Sequence, residues 1–165
     1  MIKLLKACLA IICLTLVAFT TLKNEGSPKK YKCMVQLKNY EGEGAYVIVS
    51  VVDKNDTYLK TVHILGDDEK WYPDLKEWWS FFNKARPASI DAMTGATIAG
   101  GERSLFTFEL DENDLKAGNK LRFETAVEHQ EHHLKDIEVS LDANNLKNKF
   151  EGSGYIRYVR MIPTK

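Results

Sequence analysis

Ala45-Tyr46-Val47-Ile48-Val49-Ser50-Val51-Val52 is the stretch on which the fold turns. β-Branched residues dominate it, and both of its alternating faces are apolar. That pattern predicts a central strand covered on its two sides rather than an edge strand with one wet face. Asp53-Lys54-Asn55-Asp56 is turn chemistry, so Thr57–Leu65 is expected to return as the hairpin partner. Upstream, Cys33, Val35 and Leu37 share one face of a further strand, with Cys33 read as a buried structural thiol. Downstream, Phe106, Phe108 and Leu110 alternate with polar residues. Asp111–Asn119 is a polar loop with Gly118 suited to a tight turn. Leu121, Phe123, Thr125 and Val127 alternate with Arg122, Glu124 and Glu128, as in a half-buried strand. Ile137, Val139 and Leu141 repeat the pattern, and 155–162 closes the series. Roughly seven short strands separated by turn signals predict a mainly β fold, an immunoglobulin-like β-sandwich.

One helix is expected among the strands. Pro73 suits a first helical position, Asp74 and Glu77 suit the positive end of a helix, and Arg86-Pro87 supplies a stop. Leu75, Trp78, Trp79 and Phe82 fall at i, i+3, i+4 and i+7, forming one apolar stripe. Packing against a sheet is the expected use of that stripe, ahead of an aromatic wall beside a flat cofactor.

Charge narrows the function classes. The chain has 165 residues with 23 Lys+Arg and 23 Asp+Glu, a balance that argues against binding nucleic acid. Lys3 and Lys6 precede an uncharged run from Ala7 to Leu22, the pattern of an export signal or N-terminal anchor. Without residues 1–22 the chain keeps 21 basic and 23 acidic residues. Residues 23–30 then read as a leader linker and 31–165 as the sandwich domain. Two of the three cysteines lie in the apolar run, leaving Cys33 alone and unable to form an internal disulfide. The expected compartment is the periplasm or another extracytosolic space.

Asp91-Ala92-Met93-Thr94-Gly95-Ala96-Thr97 is the segment with chemical content. Gly95 and Ala96 remove bulk just before a hydroxyl, so another molecule can approach the backbone closely and reach Thr97. Asp91 is spaced to bond the amides of the turn, or to orient whatever docks there. The segment resembles the flavinylation motif of exported flavoproteins, D-x-x-[ST]-G-A-[ST]. In those proteins a flavin transferase joins FMN to the last hydroxyl through a phosphoester. The resemblance implies Thr97 as attachment oxygen, Gly95 and Ala96 as the close-approach pair, Thr94 as the small polar residue and Asp91 as the leading acid.

A wider resemblance covers nearly all of the chain after the leader. Gly44-Ala45-Tyr46-Val47, Lys60-Thr61-Val62, Trp71-Tyr72-Pro73-Asp74-Leu75 with Trp78-Trp79, the Asp91–Thr97 segment and Glu128-His129 resemble a bacterial family of predicted periplasmic proteins of unknown function. Its members are often associated with PepSY-type membrane proteins and flavin transferases. The chain departs from the family pattern at Phe108–Asn113, where a Trp-Asp-Gly-rich turn is usual. Together these resemblances imply an extracytosolic electron carrier rather than a substrate-transforming enzyme. Its partners would be a flavin transferase for maturation and a membrane redox protein for turnover.

His129, His132 and His133, with Glu128 beside them, supply the alternative of a metal-binding module, with His63 as a further candidate ligand. Strand alternation opposes it, because His132 and His133 would point to opposite faces. A third alternative is a structural interaction domain without cofactor. No nucleotide-binding glycine loop and no nucleophile elbow is present, and Asp111-Glu112-Asn113-Asp114 misses calcium-loop spacing.

Overall fold

A computed structural model describes residues 27–85, 90–141 and 145–164. Residues 1–22, the expected signal or anchor, and the expected helix stop at Arg86-Pro87 lie outside the described residues. Among the described residues no helix is long and apolar enough to cross a membrane.

Among the described residues nine strands form two sheets. They are β1 (Lys29–Leu37), β2 (Tyr46–Val52), β3 (Tyr58–Leu65), β4 (Thr94–Gly95), β5 (Arg103–Leu110), β6 (Lys120–Ala126), β7 (His132–Ser140), β8 (Lys149–Glu151) and β9 (Ile156–Pro163). One sheet has the order β5-β1-β9-β8 and the other β4-β3-β2-β6-β7. All pairings are antiparallel except β3 with β4, which run parallel. The inner faces of the two sheets meet in one core, contributed by Cys33, Val35, Val49, Phe108, Phe123 and Val159 among others. This is the mainly β sandwich that the alternation predicts.

β2 lies between β3 and β6 and is buried along its whole length. Its inner residues Val47, Val49 and Val51 enter the core between the sheets. On its outer side Tyr46 and Ile48 join Ile64 in a second apolar cluster with Tyr72, Leu75, Trp78 and Phe82. That cluster is the underside of a short helix, α1 (Lys76–Phe82). Trp78 is fully buried and donates from Nε1 to Thr61 Oγ1 at 2.9 Å, while its ring stacks on Phe82. Truncating such a residue to alanine typically costs about 3–5 kcal/mol. The aromatic stripe is therefore packing.

Four expectations need correction. The helix begins at Lys76, after a separate 3-10 turn over Glu69–Asp74 that contains Pro73, and Leu75 separates the two with ψ of 62°. Proline tolerates the tighter turn, whose 69–74 backbone is capped by the Asp68 carboxylate accepting from Lys70 N. β6 is buried on both faces rather than one, because Arg122 and Glu124 are covered on the outer side. Arg122 is paired there with Glu138 and Asp56 and lies over the Tyr58 ring, and Tyr58 Oη donates to Glu124 Oε1. Paired in this way, the Arg122 guanidinium is buried without an uncompensated desolvation cost. β1 starts at Lys29, inside the stretch read as linker, where it pairs with Leu110. Finally, the Asp91–Thr97 segment is not all loop: Asp91–Met93 forms a 3-10 turn and Thr94–Gly95 is β4.

Cys33 is a free, buried thiol in the core, and burial pushes its pKa far up, so it stays protonated.

Candidate functional site at Thr97

The Asp91–Thr97 segment runs along the edge of the five-stranded sheet and then over its end. Ile64 and Leu65 of β3 pair with Thr94 and Gly95, and Gly66 N donates to the Gly95 carbonyl at 2.7 Å. Two residues past Thr94–Gly95, Thr97 is followed by Ile98, which is buried and exchanges two backbone hydrogen bonds with Ala45 ahead of β2. The chain thus steps from the end of β3 to the start of β2. Ala96 and Thr97 form the bridge between two fixed points.

Thr97 is half-buried and Ala96 exposed. The Thr97 hydroxyl sits over Gly44: a Cβ added to Gly44 would fall 2.3 Å from Thr97 Oγ1 and 2.7 Å from Thr97 Cβ. Only a residue without a side chain leaves that space. Gly95 is tight as well, since a Cβ there would lie 3.2 Å from Leu65 Cδ2. Thr94 Oγ1 donates to the Ile90 carbonyl at 3.0 Å, so this hydroxyl is engaged in shaping the turn. Asp91 accepts from Thr94 N through its main-chain carbonyl, and the residue is exposed.

Thr97 opens on a cleft of about 320 Å³ between the edge of the five-stranded sheet and β5, lined also by His63, Leu65, Arg103, Leu105 and Phe106. His63 stacks on Phe106 with ring centroids 3.9 Å apart and planes 8° from parallel. Burial pulls the His63 pKa down to about 4, so the imidazole is neutral near pH 7. Exposed Arg103 and Glu102, one of each charge, are both among its lining residues. Sequence reasoning missed Arg103 and Phe106 as cleft residues. Both lie on β5 as ordinary members of an alternating strand, and only the packing of β5 beside β3 brings them to Thr97.

The histidines of the β6–β7 turn do not converge. His129 has φ of 61°, which ends strand alternation and sets its ring edge-on to Trp71 at 5.7 Å. The turn thereby moves His129 away from the inward direction that continuation from Val127 predicts. His132 Nε2 stands 3.4 Å from buried Glu124 Oε2, whereas His133 packs edge-on against Tyr155. His63 lies by Phe106 in the Thr97 cleft. Among the described residues no three His, Cys, Asp or Glu side chains gather into a group that could hold a metal ion.

A two-sheet sandwich with a helix over one outer face and a tethered hydroxyl at its edge defines the class of domain. Residues 28–158 match the family described as Predicted periplasmic protein (DUF2271), and the chain belongs to that family. No curated protein and no solved structure matches it.

Proposed function

We propose that this chain is an extracytosolic electron-transfer protein that carries FMN on Thr97 through a phosphoester. The observation that carries the reading is the position of Thr97 Oγ1, half-exposed over the gap left by Gly44 and held between two backbone anchors. The surroundings suit the group: an Ala96 flank without bulk, and a cleft of mixed polar and apolar lining that includes Arg103, a cation suited to phosphate.

Attachment would form one bond between Thr97 oxygen and phosphorus, release the hydroxyl proton and break the bond to the leaving group of an activated flavin nucleotide. No electrons move in that step, and a separate flavin transferase would catalyse it, so the chain needs no base of its own. When bound, FMN supplies one- and two-electron chemistry. The protein's own contribution is to hold the phosphate end at a fixed point and to shelter the attached group. A covalent tether also keeps the cofactor at high local concentration where loss by dilution is irreversible. A PepSY-type membrane protein is the proposed electron-transfer partner.

The test is co-expression of the exported chain with a flavin transferase, followed by denaturation and intact-mass measurement. The expected result is a mass increment of one FMN minus water, with flavin fluorescence surviving denaturation and lost in Thr97→Ala. An unmodified mass in the wild type, or equal labelling of Thr97→Ala, overturns the reading and leaves an interaction domain without cofactor.

A further inference from the structure

A second cleft, of about 240 Å³, opens on the outer face of the five-stranded sheet, lined by Tyr46, Trp71, Asp74, Glu128, His129 and His132. We propose that this cleft, and not the one between β3 and β5, is the berth for the flat ring system of the flavin carried on Thr97. The proposal rests on the Thr97 reading.

Three observations lead to it. The first is an orphan donor: Trp71 Nε1 is buried and has no hydrogen-bond partner. A buried N–H without an acceptor is costly and rare, and an indole N–H can serve only an acceptor such as a ring carbonyl. His132 Nε2 is likewise buried and lies off hydrogen-bonding geometry from Glu124, which leaves a second polar atom at the same cleft. Asp74 and Glu128 add acceptors for a ring N–H. The mixed edge of carbonyls and N–H on a flavin ring is complementary to that set.

The second observation is strain. His129 adopts a left-handed backbone conformation, uncommon for a residue other than glycine, and the turn is fixed by Gln130 donating to the Glu41 and Val127 carbonyls from its side chain and backbone. This arrangement holds the imidazole edge-on to Trp71. The Lys70 ammonium lies over the same indole at 5.1 Å while paired with Asp68.

The third observation connects this cleft with Thr97. Ala45 and Val47 point into the core between the sheets, so Gly44 and Tyr46 face the outer side by strand alternation. Thr97 Oγ1 lies where the Gly44 side chain would be, and Tyr46 lines the outer cleft. The two positions are two residues apart along the chain, at most roughly 7 Å, a step that a five-carbon ribityl tail spans. By contrast, the aromatic rings of the other cleft are already stacked on one another and both are buried.

The experiment uses the flavinylated full chain and its Trp71→Phe variant, which keeps an aromatic ring but removes the N–H along with one ring of the indole, together with Phe106→Leu. Flavin emission, the visible spectrum and the midpoint potential are read alongside intact mass. The expected result is equal labelling of all three proteins, with emission rising several-fold and potential shifted in Trp71→Phe while Phe106→Leu resembles wild type. Equal labelling with spectra and potential unmoved in Trp71→Phe, or moved only in Phe106→Leu, overturns the berth and leaves the Thr97 attachment intact. If no protein is labelled, the attachment reading fails. The berth is then judged by titrating unlabelled chain with riboflavin, which has no phosphate. Binding weakened roughly 5- to 10-fold by Trp71→Phe, the loss of about one hydrogen bond, supports it, and absence of binding refutes it. Urea denaturation of each variant confirms that folding is retained.

Discussion

Replacing Gly44 by alanine puts the packing at Thr97 to a test in which the sign of the effect decides. The added methyl would lie 2.3 Å from Thr97 Oγ1 and 2.7 Å from Thr97 Cβ, whereas a close carbon–oxygen contact is about 3.3 Å. Something must yield by about 1 Å on that comparison. The bridge cannot slide freely, because Gly95 is paired to β3 and Ile98 to Ala45. Overpacking of this kind costs about 1–3 kcal/mol. In open space the same substitution, at a backbone conformation alanine accepts, would stabilise by about 0.4–1 kcal/mol. Urea denaturation with an unchanged m-value is the assay. Thr97→Ala removes the oxygen and leaves the Cβ contact, so Gly44→Ala should still destabilise that background, but less. The difference should be a coupling energy of about 0.5 kcal/mol or more. Stabilisation by Gly44→Ala, or an equal cost in both backgrounds, would refute the placement of the hydroxyl over Gly44.

His63→Phe should change how stability depends on pH. The folded pKa near 4 lies below the ordinary histidine value of 6.5, so the unfolded chain binds more protons between those two values. The stability held by the neutral imidazole is therefore complete above about pH 6.5 and is lost as pH falls through the folded pKa, amounting to at most about 3 kcal/mol. Measured from pH 7 to pH 4, the wild type should lose stability relative to His63→Phe. Parallel curves would mean that the imidazole is solvated. Asp136→Ala should destabilise by about 3 kcal/mol or more, because the buried carboxylate accepts from Thr125 Oγ1, Gly154 N and Ile156 N. A loss under about 1 kcal/mol in chemical denaturation would show that those donors find other acceptors.

Periodicity carried the sandwich because burial acts on it directly. The run from Ala45 to Val52 is apolar on both faces, and β2 is covered on both. Phe106, Phe108 and Leu110 alternate, and they face the core of a sheet whose other side is open. Where charge replaced hydrophobicity the pattern misled: Arg122 and Glu124 read as solvent-facing, yet both are buried through partners far away in sequence. The helix start was misplaced for a local reason. Pro73 fits the interior of a 3-10 turn as well as the first turn of an α-helix, and composition alone does not separate them. At the candidate site, Thr97 and its small neighbours were legible from their order along the chain. The Gly44 gap, the place of Arg103 in the cleft and the unsatisfied Trp71 Nε1 arise from tertiary approach between distant segments, for which no local signal exists.

The pairing of β4 with β3 extends over only two residues at the margin of a sheet. Peeling away so short a hem would break a few hydrogen bonds and leave the β3–β2–β6 ladder untouched, so its opening free energy lies far below that of global unfolding. Such a segment can be lifted out, chemically altered and laid back on a finished fold. Under the proposed attachment to Thr97, the order of events then need not be set by folding: the sandwich would assemble first, and a modifying enzyme would visit it afterwards.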